Sequence, residues 1–162
     1  MENSIEVYQV LDKLKITYQK RNHPPVFTLE EFKEVVNDLE GGHCKNLFLR
    51  NKKGHHHYLV VCLGEKKIDL KMLTKKLNED RLSFASPERM NRYLGLKKGA
   101  VSPFGLINDV HQEVVVVLDK ELKRWEKLNF HPLINTETLA IKYLDLLKFI
   151  NHFGNKIIEI DL

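Results

Sequence analysis

The stretch best suited to chemistry in this sequence is Gly99-Ala100-Val101-Ser102-Pro103-Phe104-Gly105. Two glycines and a proline fix a tight backbone with few side chains in the way. Such a loop can aim successive N–H groups at a carbonyl oxygen or a phosphate, as an oxyanion holder must. It lacks the Lys-Ser/Thr ending of a P-loop, which argues against nucleotide triphosphate binding. An ordinary turn between helix and strand uses the same residues and is the commoner outcome. Lys45 is a lone lysine entering an apolar strand, a position that suits the mouth of a pocket, although a surface strand end is commoner. His131, held by Pro132 in Asn129-Phe130-His131-Pro132 beside Asn135-Thr136, can orient a hydroxyl or a water, or equally cap or pack.

Other reactive residue types carry less. His43 and Cys44 are neighbours on an extended segment and point to opposite faces, so His43 does not readily serve Cys44 as a base. Cys62 lies within an apolar strand and reads as a small buried residue. Alternation also keeps His55, His56 and His57 from converging on one ion, and no acidic or cysteine ligand stands nearby at zinc spacing. There is no His-x-Glu with Cys-x-x-Cys, which excludes a zinc deaminase pattern, and no Gly-x-Ser-x-Gly elbow.

These residues need elements to hold them. Ser4 is placed to cap a first helix whose buried stripe is Ile5, Tyr8, Leu11 and Leu14. Thr17 to Arg21 is extended, and Pro24-Pro25 forces an extended loop. Thr28-Leu29-Glu30-Glu31 reads as a capping box, with Phe32, Val35, Val36 and Leu39 buried and Gly41-Gly42 ending the helix. A hairpin follows: Asn46 to Arg50, a turn at Asn51 to Gly54, then His56 to Leu63. Asp69 caps a basic helix through Leu77, and Arg81 to Ala85 is a short strand. Ser86-Pro87 opens a helix that Gly95 closes. Gly99 to Asp109 reads as loop and strand. The valine run Glu113 to Leu118 reads as a central strand buried on both faces. A short helix from Asp119 to Trp125, an extended Thr136 to Ile141, a helix from Asp145 to Phe153 ended by Gly154, and a strand from Lys156 to Ile160 complete the chain. Hairpin-linked strands among irregularly placed helices predict an α+β fold with a mixed sheet.

The 162 residues suit one domain spanning 1–162. With 43% hydrophobic and 30% charged residues the balance is that of an ordinary soluble chain. No apolar run approaches the roughly 20 residues needed to span a bilayer. Met1-Glu2-Asn3-Ser4 carries neither a basic leader nor an apolar stretch, so no signal peptide is expected. Two cysteines are too few for a secreted disulfide framework, and a reducing cytoplasm is the expected location. The net charge of +4 is mild, but basic residues gather at Arg50 to Lys53, Lys66-Lys67, Lys71 to Lys76 and Arg89 to Lys98. A one-sided basic surface suits a phosphate backbone; solvated helix faces and turns are the blander explanation.

Together these stretches resemble the YbaK/prolyl-tRNA-synthetase-associated editing family, and within it the stand-alone alanyl-tRNA(Pro) deacylases. The resemblance runs through His23-Pro24-Pro25-Val26-Phe27-Thr28, Lys45 to Leu49 continuing into Tyr58 to Val61, Arg81 to Ser86, Gly99 to Asp109, and Asn129 to Pro132 with Asn135-Thr136. It implies that family's fold, a mostly antiparallel mixed sheet flanked by helices. The family's Gly-x-x-x-Pro signature falls on Gly99 and Pro103, its pocket lysine on Lys45, the polar residue after it on Asn46, and its late histidine on His131. The implied activity is hydrolysis of alanine from proline tRNA, needing no cofactor and no metal. The partner is the acceptor end of that tRNA carrying alanine, with transient contact with prolyl-tRNA synthetase; a monomer away from membranes is expected.

Hydrolysis of so activated an ester needs a positioned water and a stabilised oxyanion but no protein nucleophile. The resemblance gives that work to the backbone of Gly99, Ala100, Val101, Ser102 and Pro103, to Lys45 and to His131, assisted by the tRNA's own hydroxyl. Asn46 and Thr28 are expected to contact substrate. Val26, Phe27 and Phe48 are candidate walls of a pocket that admits alanine and rejects proline, with core packing as the competing explanation. Arg50, Lys52, Lys53 and Arg81 are candidates to meet the acceptor stem. Three alternatives stay open: a deacylase for cysteinyl-tRNA(Pro) or another small aminoacyl-tRNA, a non-catalytic tRNA-binding module that docks on a synthetase, and a metal-dependent hydrolase using the histidine run.

Overall fold

The computed structural model describes residues 2–97 and 100–162. Gly99 lies outside the described residues. The first helix, α1 (Glu2–Lys13), begins earlier than the sequence suggests and contains Ser4 instead of being capped by it. Its buried face is Ser4, Val7 and Leu11, while Ile5 is 55% exposed. Ile5 lies about 200° around the helix from Val7, which turns it away from the face that Val7 and Leu11 share. Strand β1 (Gln19–Asn22) follows.

Helix α2 (Leu29–Val35) opens with the expected capping box: Thr28 Oγ1 accepts from the Glu31 N–H, and the Glu31 carboxylate accepts from the Thr28 N–H. It ends at Val36, well before Gly41-Gly42. Leaving the helix there buries Val36 and Leu39 against Ala140, whereas Val35 stays on the exposed side.

Strand β2 (Gly42–Asn51) is longer than expected and pairs antiparallel with β3 (His57–Leu63) from Cys44 to Arg50. In the turn between them, Asn51 Oδ1 accepts from the N–H groups of His55 and His56. Asp69 caps α3 (Leu70–Lys76) and Ser86 caps α4 (Pro87–Leu94), with β4 (Leu82–Phe84) between. Gly95 ends α4 at a φ of 64°, a conformation glycine adopts without a Cβ penalty.

Where a strand was expected before Asp109, the described chain forms a 3₁₀ helix, Pro103–Asn108. Ser102 Oγ accepts from the Phe104 N–H, and Pro103 supplies a preset φ at the first position, so the local chemistry favours a capped turn. Strand β5 (Val114–Asp119) leads into a 3₁₀ turn, Lys120–Arg124, and then β6 (Lys127–Phe130), a strand the sequence did not signal. Four residues with a central asparagine carry little periodicity. β7 (Glu137–Lys142), α5 (Tyr143–Phe153) and β8 (Ile157–Ile160) finish the chain.

The eight strands form one mixed sheet in the order β1-β7-β6-β2-β3-β5-β8, with β4 also on β2. Four of its seven strand pairings are antiparallel. β5 is buried on both faces, as its valine run implies: Val114, Val116 and Leu118 meet the core under α1, α4 and α5, and Val117 meets the core under α3.

Candidate functional site

Strand β2 positions the site because one of its edges is interrupted. β3 occupies one edge throughout. The other is shared: β6 pairs only with Gly42 and His43, and β4 only with Leu49 to Asn51. The backbone of Ala85 still reaches the Phe48 carbonyl, at 2.9 Å. Between these contacts β6 and β4 diverge, and the segment around Val101 faces the gap.

A cavity of about 420 Å³ opens there. Lys45, Asn46, Val101 and His131 line it together with Val26, Phe27 and Thr28, so the structure gathers most of the residues singled out from sequence. Ser102 and Pro103 are buried behind it. Phe48 is elsewhere: it is 2% exposed and stacks on His57 in the core. Arg50, Lys52, Lys53 and Arg81 sit at the β2–β3 turn and the start of β4, away from the cavity. Arg50 curls back on its own hairpin to bond the Asn51 and Lys52 carbonyls.

The loop is tied to His131 from two directions. Ser102 Oγ donates to the His131 carbonyl at 2.8 Å. The His131 ring bonds to the backbone of Val101. Nδ1 of the ring is buried without a partner. Burial lowers the His131 pKa to about 4, so the ring is neutral at physiological pH. Asn46 Oδ1 is likewise buried and unpartnered. Buried polar atoms are seldom left unpaired, and here three of them, Asn46 Oδ1, Asn129 Oδ1 and His131 Nδ1, belong to residues lining one cavity. The Ala100 N–H is bonded to the Lys97 carbonyl at 3.1 Å.

Lys45 shares the sheet face of Cys62, its partner across β3. Its ammonium donates to the Lys66 carbonyl, which holds the charge at the cavity margin. Both thiols are unsuited to nucleophilic work: burial raises the Cys44 pKa and pushes that of Cys62 up to about 11. The histidine run does not converge: the His56 ring meets Glu79 and the buried His57 ring meets Arg89. Among the described residues no cluster of His, Cys, Asp or Glu is arranged to hold a metal ion.

Residues that the sequence did not mark as functional also line the cavity, chiefly His23, His43, Asn129 and Thr138. His23 Nδ1 donates to the Pro24 carbonyl, so its Nε2 accepts from the Thr138 hydroxyl, both at 2.8 Å. Asn129 Nδ2 donates to His43 Nδ1 at 3.2 Å, and burial lowers the His43 pKa. No local pattern announces these pairs, whose members stand 115 and 86 residues apart. Asn129 Oδ1 lies against Gly41, where a Cβ would come within 2.5 Å and φ is +126°, so only glycine fits.

Comparison with known proteins agrees with this geometry. A prolyl-tRNA editing protein, ProX, of Acetoanaerobium sticklandii is 44% identical over 162 residues, covering 100% of this chain and 99% of that protein. The mouse prolyl-tRNA synthetase associated domain-containing protein 1 is 35% identical over 93% of this chain and 90% of its own length. A crystal structure of a candidate trans-editing enzyme for prolyl tRNA synthetase superposes with a TM-score of 0.76 at 20% identity, covering 100% of this chain and 98% of that one. The family model for the aminoacyl-tRNA editing domain matches residues 23–149, a span that contains the whole cavity lining, and the chain belongs to that family of editing hydrolases.

Proposed function

We propose that this protein hydrolyses alanine from mischarged proline tRNA, acting apart from the synthetase that made the error. The observation that carries the reading is a set of three unpartnered polar atoms, Asn46 Oδ1, Asn129 Oδ1 and His131 Nδ1, on a cavity that Lys45 and Val101 also line. An aminoacyl ester brings the matching groups: an ammonium, an ester carbonyl and a ribose hydroxyl. The Asn46 oxygen accepts from the alanine ammonium. His131 Nδ1 accepts from the attacking water or from the ribose hydroxyl that orients it. With a pKa near 4 the ring positions the water and is a weak base. The Val101 N–H receives the developing oxyanion, since that of Ala100 is engaged by Lys97. Lys45 steers the anionic end of the RNA. ProX, 44% identical over the full chain, is by name a prolyl-tRNA editing protein, which supports the same substrate class here.

Alanine selectivity is steric in this account. A synthetase pocket built for proline discriminates against a smaller amino acid by only about 10–200-fold per methylene, which leaves an error for a second, smaller pocket to clear. Val26 and Phe27 form apolar walls of that pocket. The test is a deacylation panel with the purified protein on alanyl-, cysteinyl-, seryl- and prolyl-tRNA(Pro). Alanine release with prolyl-tRNA left intact is expected; binding without release refutes the hydrolase, and efficient prolyl-tRNA cleavage refutes the sieve.

A further inference from the structure

On the other side of the Asn46–Val101 pair lies a second hollow, of about 340 Å³. It shares those two residues with the reaction cavity and is otherwise walled by apolar groups, notably Leu47, Phe84, Pro87 and Met90. Phe84 is 62% exposed at the end of β4, an unusual place for a large aromatic that supports no core. Its strand partner across the register is Leu49.

From this juxtaposition we infer that the hollow is a stacking shelf for the terminal base of the RNA, with Phe84 as its aromatic platform. The inference rests on the proposed reaction, because an ester held between Asn46 and Val101 leaves its ribose at the boundary the two hollows share. The base attached to that ribose then meets an apolar slot open to solvent on one side. Every base offers a π-face to such a platform, so this contact contributes affinity without reading sequence.

The experiment uses a short RNA hairpin of proline acceptor-stem sequence, with 2-aminopurine as its 3′-terminal base and alanine attached through a non-hydrolysable amide. Wild-type protein should quench the fluorophore on binding. Phe84→Ala should abolish the quench and weaken binding by at least about fivefold, the low end for losing one base–aromatic stack. Phe84→Tyr should keep both. An abasic terminal nucleotide should cost the wild type as much, and Phe84→Ala should then add nothing. Unchanged quench and affinity in Phe84→Ala overturn the shelf. So does a Phe84→Ala loss that persists on the abasic RNA, which would assign the surface to another part of the RNA or to a protein. Deacylation of alanyl-tRNA(Pro) measured in parallel separates the two claims. Stacking without hydrolysis removes the proposed reaction and leaves the shelf; hydrolysis unaffected by Phe84→Ala, with no change in quench, removes only the shelf.

Discussion

Ser102 is fully buried, and its hydroxyl joins three parts of the site. It donates to the His131 carbonyl at 2.8 Å and accepts from the Phe104 N–H at 3.3 Å, capping the 3₁₀ helix that follows the loop. Replacing it with alanine deletes only the oxygen. The His131 carbonyl loses its buried donor, at about 1–3 kcal/mol. The lost cap adds a contribution from the lower part of the usual 0.5–2 kcal/mol range, because its hydrogen bond is long. A total of about 2–4 kcal/mol lowers the melting temperature of a domain this size by about 5–15 °C. The functional consequence is larger than a global loosening, since the Val101 N–H is held by the same anchor. Turnover of alanyl-tRNA(Pro) should fall about 10- to 100-fold at a temperature where the variant is fully folded. KM should change much less, because Lys45 and Asn46 stay in place. Thermal melts and steady-state deacylation provide the two readouts. Wild-type melting together with wild-type kcat would refute the view that this hydroxyl holds the oxyanion loop.

Lys45→Ala should cut kcat/KM for alanyl-tRNA(Pro) by about 10²–10³-fold, while a melt shifts little because its ammonium makes a single bond to a carbonyl at the cavity margin. Wild-type turnover in that variant contradicts the role given to the lysine. Val26→Ala should narrow the preference for alanyl- over prolyl-tRNA(Pro), read as the ratio of the two kcat/KM values; an unchanged ratio takes Val26 out of the sieve. Acid should destabilise the fold through His57 and His131, whose pKa values burial lowers to about 4 from 6.5. The unfolded chain takes up those protons first as pH falls through 6.5, so stability declines from there and levels off below about 4. NMR titration showing either ring at its ordinary value contradicts this. Chelator should leave deacylation unchanged, since His56 and His57 are engaged by Glu79 and Arg89; chelator-sensitive turnover would return the histidine run to consideration.

Much of the scaffold was legible locally. Thr28, Asp69 and Ser86 cap helices, Gly95 and Gly154 end them, and the valine run of β5 is buried on both faces, although it lies beside the edge strand β8 and not at the sheet's centre, because caps, αL stops and buried strands are decided by a few adjacent residues. Errors fell where neighbours in space overrode neighbours in sequence. Ile5 faces out because Val7 and Leu11 set the buried face of α1, and α2 stops early so that Val36 and Leu39 can pack on Ala140. β6 is a strand because β2 and β7 flank it, not because Lys127 to Phe130 has a pattern of its own.

The site divides the same way. Residue type and spacing marked Lys45, the Val101–Ser102 loop and His131, since each is chemically conspicuous in its own segment, and the family resemblance added Asn46. Tertiary structure alone decided that Phe48 belongs to the core, that His23 is set by Thr138 and His43 by Asn129, and that the gap in the edge of β2 is where the loop and His131 meet. A hydrogen bond across 115 residues leaves no periodicity to read, whereas a cap or a tight loop is written in consecutive residues. The chain's order therefore names the reactive groups, and only the packing of the sheet says which of them share a cavity.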